Sequence, residues 1–261
     1  MRRLLNVGLL VGLILSSGAC LIVVSDYWRR QPVPAESFTR TFDLQPGSDV
    51  FLENLDGDIE IQGWDSDEAE VFVEKMFGAP PNWEFGIFRK GSVLADVRIE
   101  TVEGGLRVQT LPASGGATGG VNYILRLPHH VNLRRVSGRS GQIVVSGVYG
   151  QASVELIEGD VVVENASGSL SLFIERGSAD VELLDVREQD SVRITANNGD
   201  VTLRLEPNVN ARIDVSASQP VESEFETEPV SQAGRVRLQL GEGGAEMSVA
   251  SFNGRVRIVR Q

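Results

Sequence analysis

Three aspartates stand directly after glycines in a shared local frame: Gly57-Asp58-Ile59-Glu60-Ile61, Gly159-Asp160-Val161-Val162-Val163 and Gly199-Asp200-Val201-Thr202-Leu203. Carboxylates repeated at turns are ligands that Ca²⁺ accepts together with backbone oxygens. Nine-residue repeats that bind Ca²⁺ carry a Gly-Gly-x-Gly-x-Asp series, which is missing here. The aspartates are therefore expected to cap their own turns by bonding local backbone. His129 and His130, the only histidines, follow Pro128. Two imidazoles can join a metal site, but no third ligand stands near them in sequence, and a solvated turn is expected. The single cysteine, Cys20, excludes an intramolecular disulfide and a Cys-based zinc site. No metal, cofactor or catalytic residue is expected.

Other segments carry weaker chemistry. Ser114-Gly115-Gly116-Ala117-Thr118-Gly119-Gly120 has the glycine content of a phosphate loop but neither its Lys nor a following helix, so it reads as a flexible loop. Between Met76 and Lys90 stand Phe77, Pro80, Pro81, Trp83, Phe85 and Phe88. Rigid rings on a loop can anchor a partner; the same segment can also hide an open sheet end. No Ser/His/Asp order, metal spacing or nucleophile elbow is present, which argues against an enzyme. A glycan-active β-helix enzyme, using paired carboxylates on one face, is the rival class. The net charge of −12 repels phosphate backbones, so nucleic acid is not an expected partner.

These residues sit on a repeat. Gly141, Gly150, Gly159, Gly168 and Gly177 are each nine residues apart. Ile143 and Val145, then Val161 and Val163, then Ala179 and Val181 recur every eighteen residues. The intervening half-period repeats Ala152, Val154 and Leu156 as Leu170, Leu172 and Ile174. Alternation at period two predicts strands with one buried face. Recurrence at eighteen predicts that equivalent residues stack coil on coil, with Val145, Val163 and Val181 in one column. Glycine at the corners permits positive φ or close backbone approach. An antiparallel meander is the plainer alternative. Residues 66–75 contain helix formers, but Glu70-Val71-Phe72-Val73-Glu74 alternates and reads as strand.

The first thirty residues differ. Arg2 and Arg3 precede an apolar run from Leu4 to Val24, the pattern of an export signal. The run is long enough to span a membrane, with Tyr27 and Trp28 at headgroup level. Ser17-Gly18-Ala19-Cys20 also resembles a bacterial lipobox, with Cys20 lipidated, and Ser17 and Ala19 fit a plain cleavage site. Signal anchor, lipoprotein and released protein all remain open. Residues 25–36 contain Pro32 and Pro34 and read as an extended linker.

The domain at 37–261 resembles a known family. Phe42-Asp43-Leu44, Pro46-Gly47, Gly57-Asp58-Ile59-Glu60-Ile61 and Gly63-Trp64-Asp65 look like the opening of the bacterial DUF4097 family, which is adhesin-like with a β-strand-repeat fold. Tyr123-Ile124-Leu125-Arg126-Leu127-Pro128 and Asn253-Gly254-Arg255-Val256-Arg257-Ile258 match its middle and end. Gly141-Gln142, Gly177-Ser178 and Gly254-Arg255 lack the Asp of the other corners. The resemblance implies an exported or tethered β-solenoid and supplies no catalytic residues. The expected architecture is thus an all-β parallel β-solenoid of glycine-punctuated repeats behind a hydrophobic membrane segment, with residues 1–24 as signal or anchor. The expected role is a non-catalytic interaction or scaffold protein of the cell envelope. It would be held to the membrane by residues 4–24 and present a rigid surface to a protein or glycan. The alternative is an envelope-stress sensing or regulatory module that works through a partner.

Overall fold

The computed structural model describes residues 34–76, 95–112, 119–226, 228–229 and 234–261. Cys20 and the run 4–24 lie outside these, as do Phe77, Trp83, Phe85 and Phe88. Among the described residues every regular element is a strand, and no helix is long and apolar enough to cross a membrane.

The N-terminal strands are β1 (Pro34–Asp43), β2 (Asp49–Glu53), β3 (Ile59–Trp64), β4 (Glu68–Met76), β5 (Asp96–Val102), β6 (Gly105–Leu111) and β7 (Val121–Pro128). The central ones are β8 (Asn132–Ser140), β9 (Ile143–Ser146), β10 (Ala152–Glu158), β11 (Val161–Ser167), β12 (Leu170–Arg176), β13 (Ala179–Asp185), β14 (Ser191–Asn198) and β15 (Val201–Leu205). Then follow β16 (Ala211–Ala217), β17 (Glu222–Ser223), β18 (Glu228–Pro229), β19 (Arg235–Leu240), β20 (Ala245–Asn253) and β21 (Val256–Arg260). β1 takes in the last three residues of the expected linker. Proline is tolerated at the first position of an edge strand, where its missing N–H is not needed.

The strands form one ten-stranded and one eleven-stranded sheet. From β7 to β17 successive strands alternate between the two, so each pair makes one coil. In the ten-stranded sheet β9, β11, β13, β15 and β21 pair in parallel; in the other sheet β8, β10, β12, β14 and β20 do so. Val163 faces Val145 on one side and Val181 on the other. The eighteen-residue column expected from the sequence is therefore present, and the meander is excluded. Between Leu170 and Val192, and between Ala179 and Val201, the step widens to twenty-two. The extra residues lie between β13 and β14.

The stack departs from sequence order at both ends. β6–β7 lies outside β2–β3, which pairs on its other side with β8–β9. Likewise β20–β21 sits between β14–β15 and β16–β17. A simple coil-after-coil order, which the regular central period suggests, holds only from β8 to β15. Antiparallel strands finish the stack: β4 on β7 and β5 on β6 at one end, β19 on β16 at the other. A change of direction ends the parallel ladder and leaves short or charged edges, a known protection against further strand pairing.

The core is a layer of Val, Leu and Ile between the sheets, and inward residues such as Val154, Leu172, Ile194 and Val249 are essentially inaccessible. Burying one such side chain stabilises the fold by about 1.5–3 kcal/mol. The alternation that identified the strands is this inward–outward alternation.

Candidate functional site

The corner glycines have a steric reason. Gly57, Gly141, Gly159, Gly177 and Gly199 all have positive φ. A β-carbon on Gly159 would lie 1.8 Å from the Gly141 carbonyl oxygen, and one on Gly177 would lie 1.8 Å from that of Gly159. Gly254 extends the column, with a β-carbon placed 2.1 Å from the Gly199 oxygen. Gly150 and Gly168 form the second corner, against Val131 and Gly150 carbonyls. The nine-residue period is thus two interleaved columns, one at each corner of the coil.

The aspartates of the first corner do not bond their own backbone. Asp58 Oδ1 accepts from the Gln142 amide at 2.8 Å, Asp160 Oδ1 from the Ser178 amide at 2.8 Å and Asp200 Oδ1 from the Arg255 amide at 2.9 Å. Each carboxylate reaches to the next coil, because in a stack the nearest free amide after a corner glycine belongs to the neighbouring coil. Asn122 Oδ1 does the same for the Asp58 amide at 3.0 Å. The carboxylates are coil-to-coil clasps. Among the described residues no group of three or more His, Cys, Asp or Glu is arranged to hold a metal ion.

The opposite corner gathers Trp64, Asp65, His129, His130 and Tyr149. The His129 ring stacks on Tyr149 with centroids 4.8 Å apart, and His130 meets Tyr149 edge-on at 5.7 Å. His129 Nδ1 lies 2.5 Å from the Gly147 carbonyl oxygen, and Nε2 is 3.4 Å from Asp65. Only 23% of the His129 side chain is accessible. The expected turn is present at His129 and His130, but His129 is not fully solvated: Tyr149, twenty residues further on, covers it from the next coil. A carbonyl acceptor at Nδ1 fixes the proton there, so Nε2 faces the exposed Asp65 carboxylate.

A third cluster is buried. Thr110 Oγ1 donates to Asn54 Oδ1 at 2.8 Å and lies 2.6 Å from the Tyr123 hydroxyl. Asn54 Nδ2 donates to the Val121 carbonyl at 2.8 Å. Burial pushes the Tyr123 phenol up to about 12, with the Thr110 hydrogen bond pulling weakly the other way. Every buried side-chain nitrogen and oxygen among the described residues has a partner.

The fourth feature is the outer face of the eleven-stranded sheet. The exposed large apolar side chains among the described residues, Ile157, Phe173 and Phe252, all project there, from β10, β12 and β20. Phe252 is 61% accessible and Phe173 39%. The residue pairs Phe173–Thr195, Thr195–Ala250 and Ala250–Ser216 make one row across four strands. Ser171–Arg193–Ser248 makes the row beside it. Rings are hard to foresee here, because Phe173 occupies the polar phase of Leu170-Ser171-Leu172-Phe173-Ile174. That misplaced apolar residue is the available sequence signal, and Phe252 in Val249-Ala250-Ser251-Phe252 gives the same one.

Several surface arginines are tied to carboxylates. Arg134 pairs with Asp49 at 2.9 Å, Arg237 with Asp214 at 2.8 Å and Arg257 with Glu222 at 2.9 Å. Arg139 pairs with Asp56, whose hydrogen bond and charge raise the guanidinium further.

An all-β stack of parallel coils with glycine corners and clasping aspartates, closed by antiparallel strands, defines a class of β-solenoid-like repeat protein. The chain belongs to the Toastrack DUF4097 family, whose model matches residues 42–258. Three solved structures are similar over most of the chain. One, described as a candidate cell adhesion protein of Clostridium sporogenes, has 11% identity and TM-score 0.49, covering 87% of this chain and 100% of the other. A candidate adhesin of Bacteroides fragilis has 8% identity and TM-score 0.34, covering 87% and 99%. Another from Parabacteroides merdae has 11% identity and TM-score 0.29, covering 86% and 96%. No curated protein matches significantly.

Proposed function

We propose that the chain is a non-catalytic interaction or scaffold protein of the bacterial cell envelope, adhesin-like, with its β domain outside the cytoplasm. The observation that carries this reading is the apolar set Ile157, Phe173 and Phe252 standing outward on one sheet face. Large apolar side chains grouped on a surface favour a partner that removes them from water. The carboxylates support the non-catalytic part. Asp58, Asp160 and Asp200 clasp neighbouring coils, and Asp49, Asp56, Asp214 and Glu222 hold arginines. The apolar run from Leu4 to Val24 supports the tether.

The test of the interaction role is capture from intact envelopes with the full-length protein as bait. A specific protein or glycan is expected in the wild-type eluate, and an eluate identical to empty resin refutes the role. For the tether, metabolic palmitate labelling lost in Cys20→Ser identifies a lipoprotein. An unlabelled wild-type protein that stays with membranes identifies a signal anchor.

A further inference from the structure

The outer face of the eleven-stranded sheet contains a shallow trough. Its floor is Thr195 on β14 and Ala250 on β20, which are directly opposite each other. Both have short side chains. Longer ones surround them: Phe173 on β12 beside Thr195, Arg193 one row above on β14, and Phe252 one row below on β20. Strands lie ~4.8 Å apart and successive same-face residues ~6.6 Å. From β12 to β20 the trough is therefore ~10 Å wide, enough for one six-membered sugar ring.

The chemistry of the rim is mixed. Phe173 and Phe252 offer apolar ring faces. Ser171 and Ser248 flank Arg193, and Thr195 adds a hydroxyl. The neighbouring carboxylates have partners of their own. Glu175 accepts from Asn197, Glu155 lies 3.8 Å from Arg135, and Asp214 holds Arg237. Glu246 is directly opposite Arg212. Arg193 has no ion-pair partner among the described residues, which leaves its five donors to a ligand.

We propose that this trough binds a hexopyranose unit of a neutral polysaccharide. A pyranose ring presents C–H groups on its faces and hydroxyls at its edge. The faces lie against Phe173 and Phe252, where an apolar surface is removed from water. The edge hydroxyls meet Arg193, Thr195, Ser171 and Ser248. A site of this kind combines apolar area with a few placed polar groups. Charge selects the neutral class. The chain carries −12, which repels a polyanion over long range, and Arg193 alone offers no run of cations to offset that. The proposal rests on the interaction reading above and narrows it to one face and one ligand class.

The experiment is affinity electrophoresis of the full-length protein in detergent, through gels containing dextran, laminarin, mannan or polygalacturonate. At least one neutral polysaccharide is expected to retard the wild type. Phe173→Ser and Arg193→Ala should each lower the apparent affinity at least tenfold, while Phe173→Tyr, which keeps the ring, should retain it. Both positions are at the surface, and unchanged melting temperatures confirm that the three variants fold. Retardation by polygalacturonate alone, by no polysaccharide, or equally in all variants overturns the proposal. So does sedimentation showing a wild-type dimer that Phe173→Ser dissociates, since a second copy then covers the face. Envelope capture retained by both wild type and Phe173→Ser, without retardation by any polysaccharide, overturns the trough and leaves the interaction role standing. A wild-type eluate identical to empty resin, again without retardation by any polysaccharide, ends both.

Discussion

Gly159 shows how little freedom a single corner position has. Its φ is +131°, and a β-carbon there would meet the Gly141 carbonyl oxygen at 1.8 Å. Backbone cannot yield as a flexible side chain can, so Gly159→Ala is expected to cost at least ~2–4 kcal/mol through strain and displaced coils. Urea denaturation monitored by circular dichroism measures it, and a loss under about 1 kcal/mol contradicts the steric account. Asp160 acts at the same corner with less at stake. Asp160→Ala removes the acceptor of the Ser178 amide and should cost ~1–2 kcal/mol, whereas Asp160→Asn keeps an acceptor and most of the stability. Tyr123 makes a pH prediction. Its phenol is raised from 10.0 to about 12 because burial opposes the phenolate. A raised pKa contributes stability that is complete below pH 10 and disappears as pH climbs through 12, by at most about 3 kcal/mol. Tyr123→Phe has nothing to ionise. Its denaturation midpoint should therefore fall less steeply than that of the wild type between pH 10 and 12, and parallel curves refute the assignment.

At the scale of the strand, the inward column decides stability. Leu172 faces Val154 on β10 and Ile194 on β14 and is about 1% accessible. Leu172→Ala removes its packing atoms between two fixed strands and should cost ~2–5 kcal/mol, read as a lower Tm. The strands of this central part were legible in the sequence because glycine spacing and period-two alternation arise from the same geometry that builds the coil. Val145, Val163 and Val181 stack as the period requires. Contacts made between coils were not legible. The sequence places Asp58 beside its own turn, yet its partner is the amide of Gln142, eighty-four residues away. Tyr149 covers His129 for the same reason: adjacency along the stack has no local signal. Phe173 was visible only as an apolar residue in the wrong phase, which marks exposure without naming a ligand.

Across the whole domain, the two sheets share one apolar layer, and each inner coil is held by two neighbours. Native-state hydrogen exchange should therefore show the slowest amides in β12 and β14 and the fastest at the edges β1 and β5. Uniform rates would mean that the coils do not open from the ends. The order of coils adds a constraint on assembly. β16 has a parallel partner only in β20, which follows it by some thirty residues in sequence. A chain made from its N-terminus onward can lay down β8 to β15 as each coil appears, but β16–β17 must wait for a later segment to wedge in ahead of it. That end is completed out of sequence order, with β20–β21 against β14–β15 and β16–β17 outside them, and until the later segment arrives the rim of β14 and β15 is an unfinished template that any foreign strand could extend.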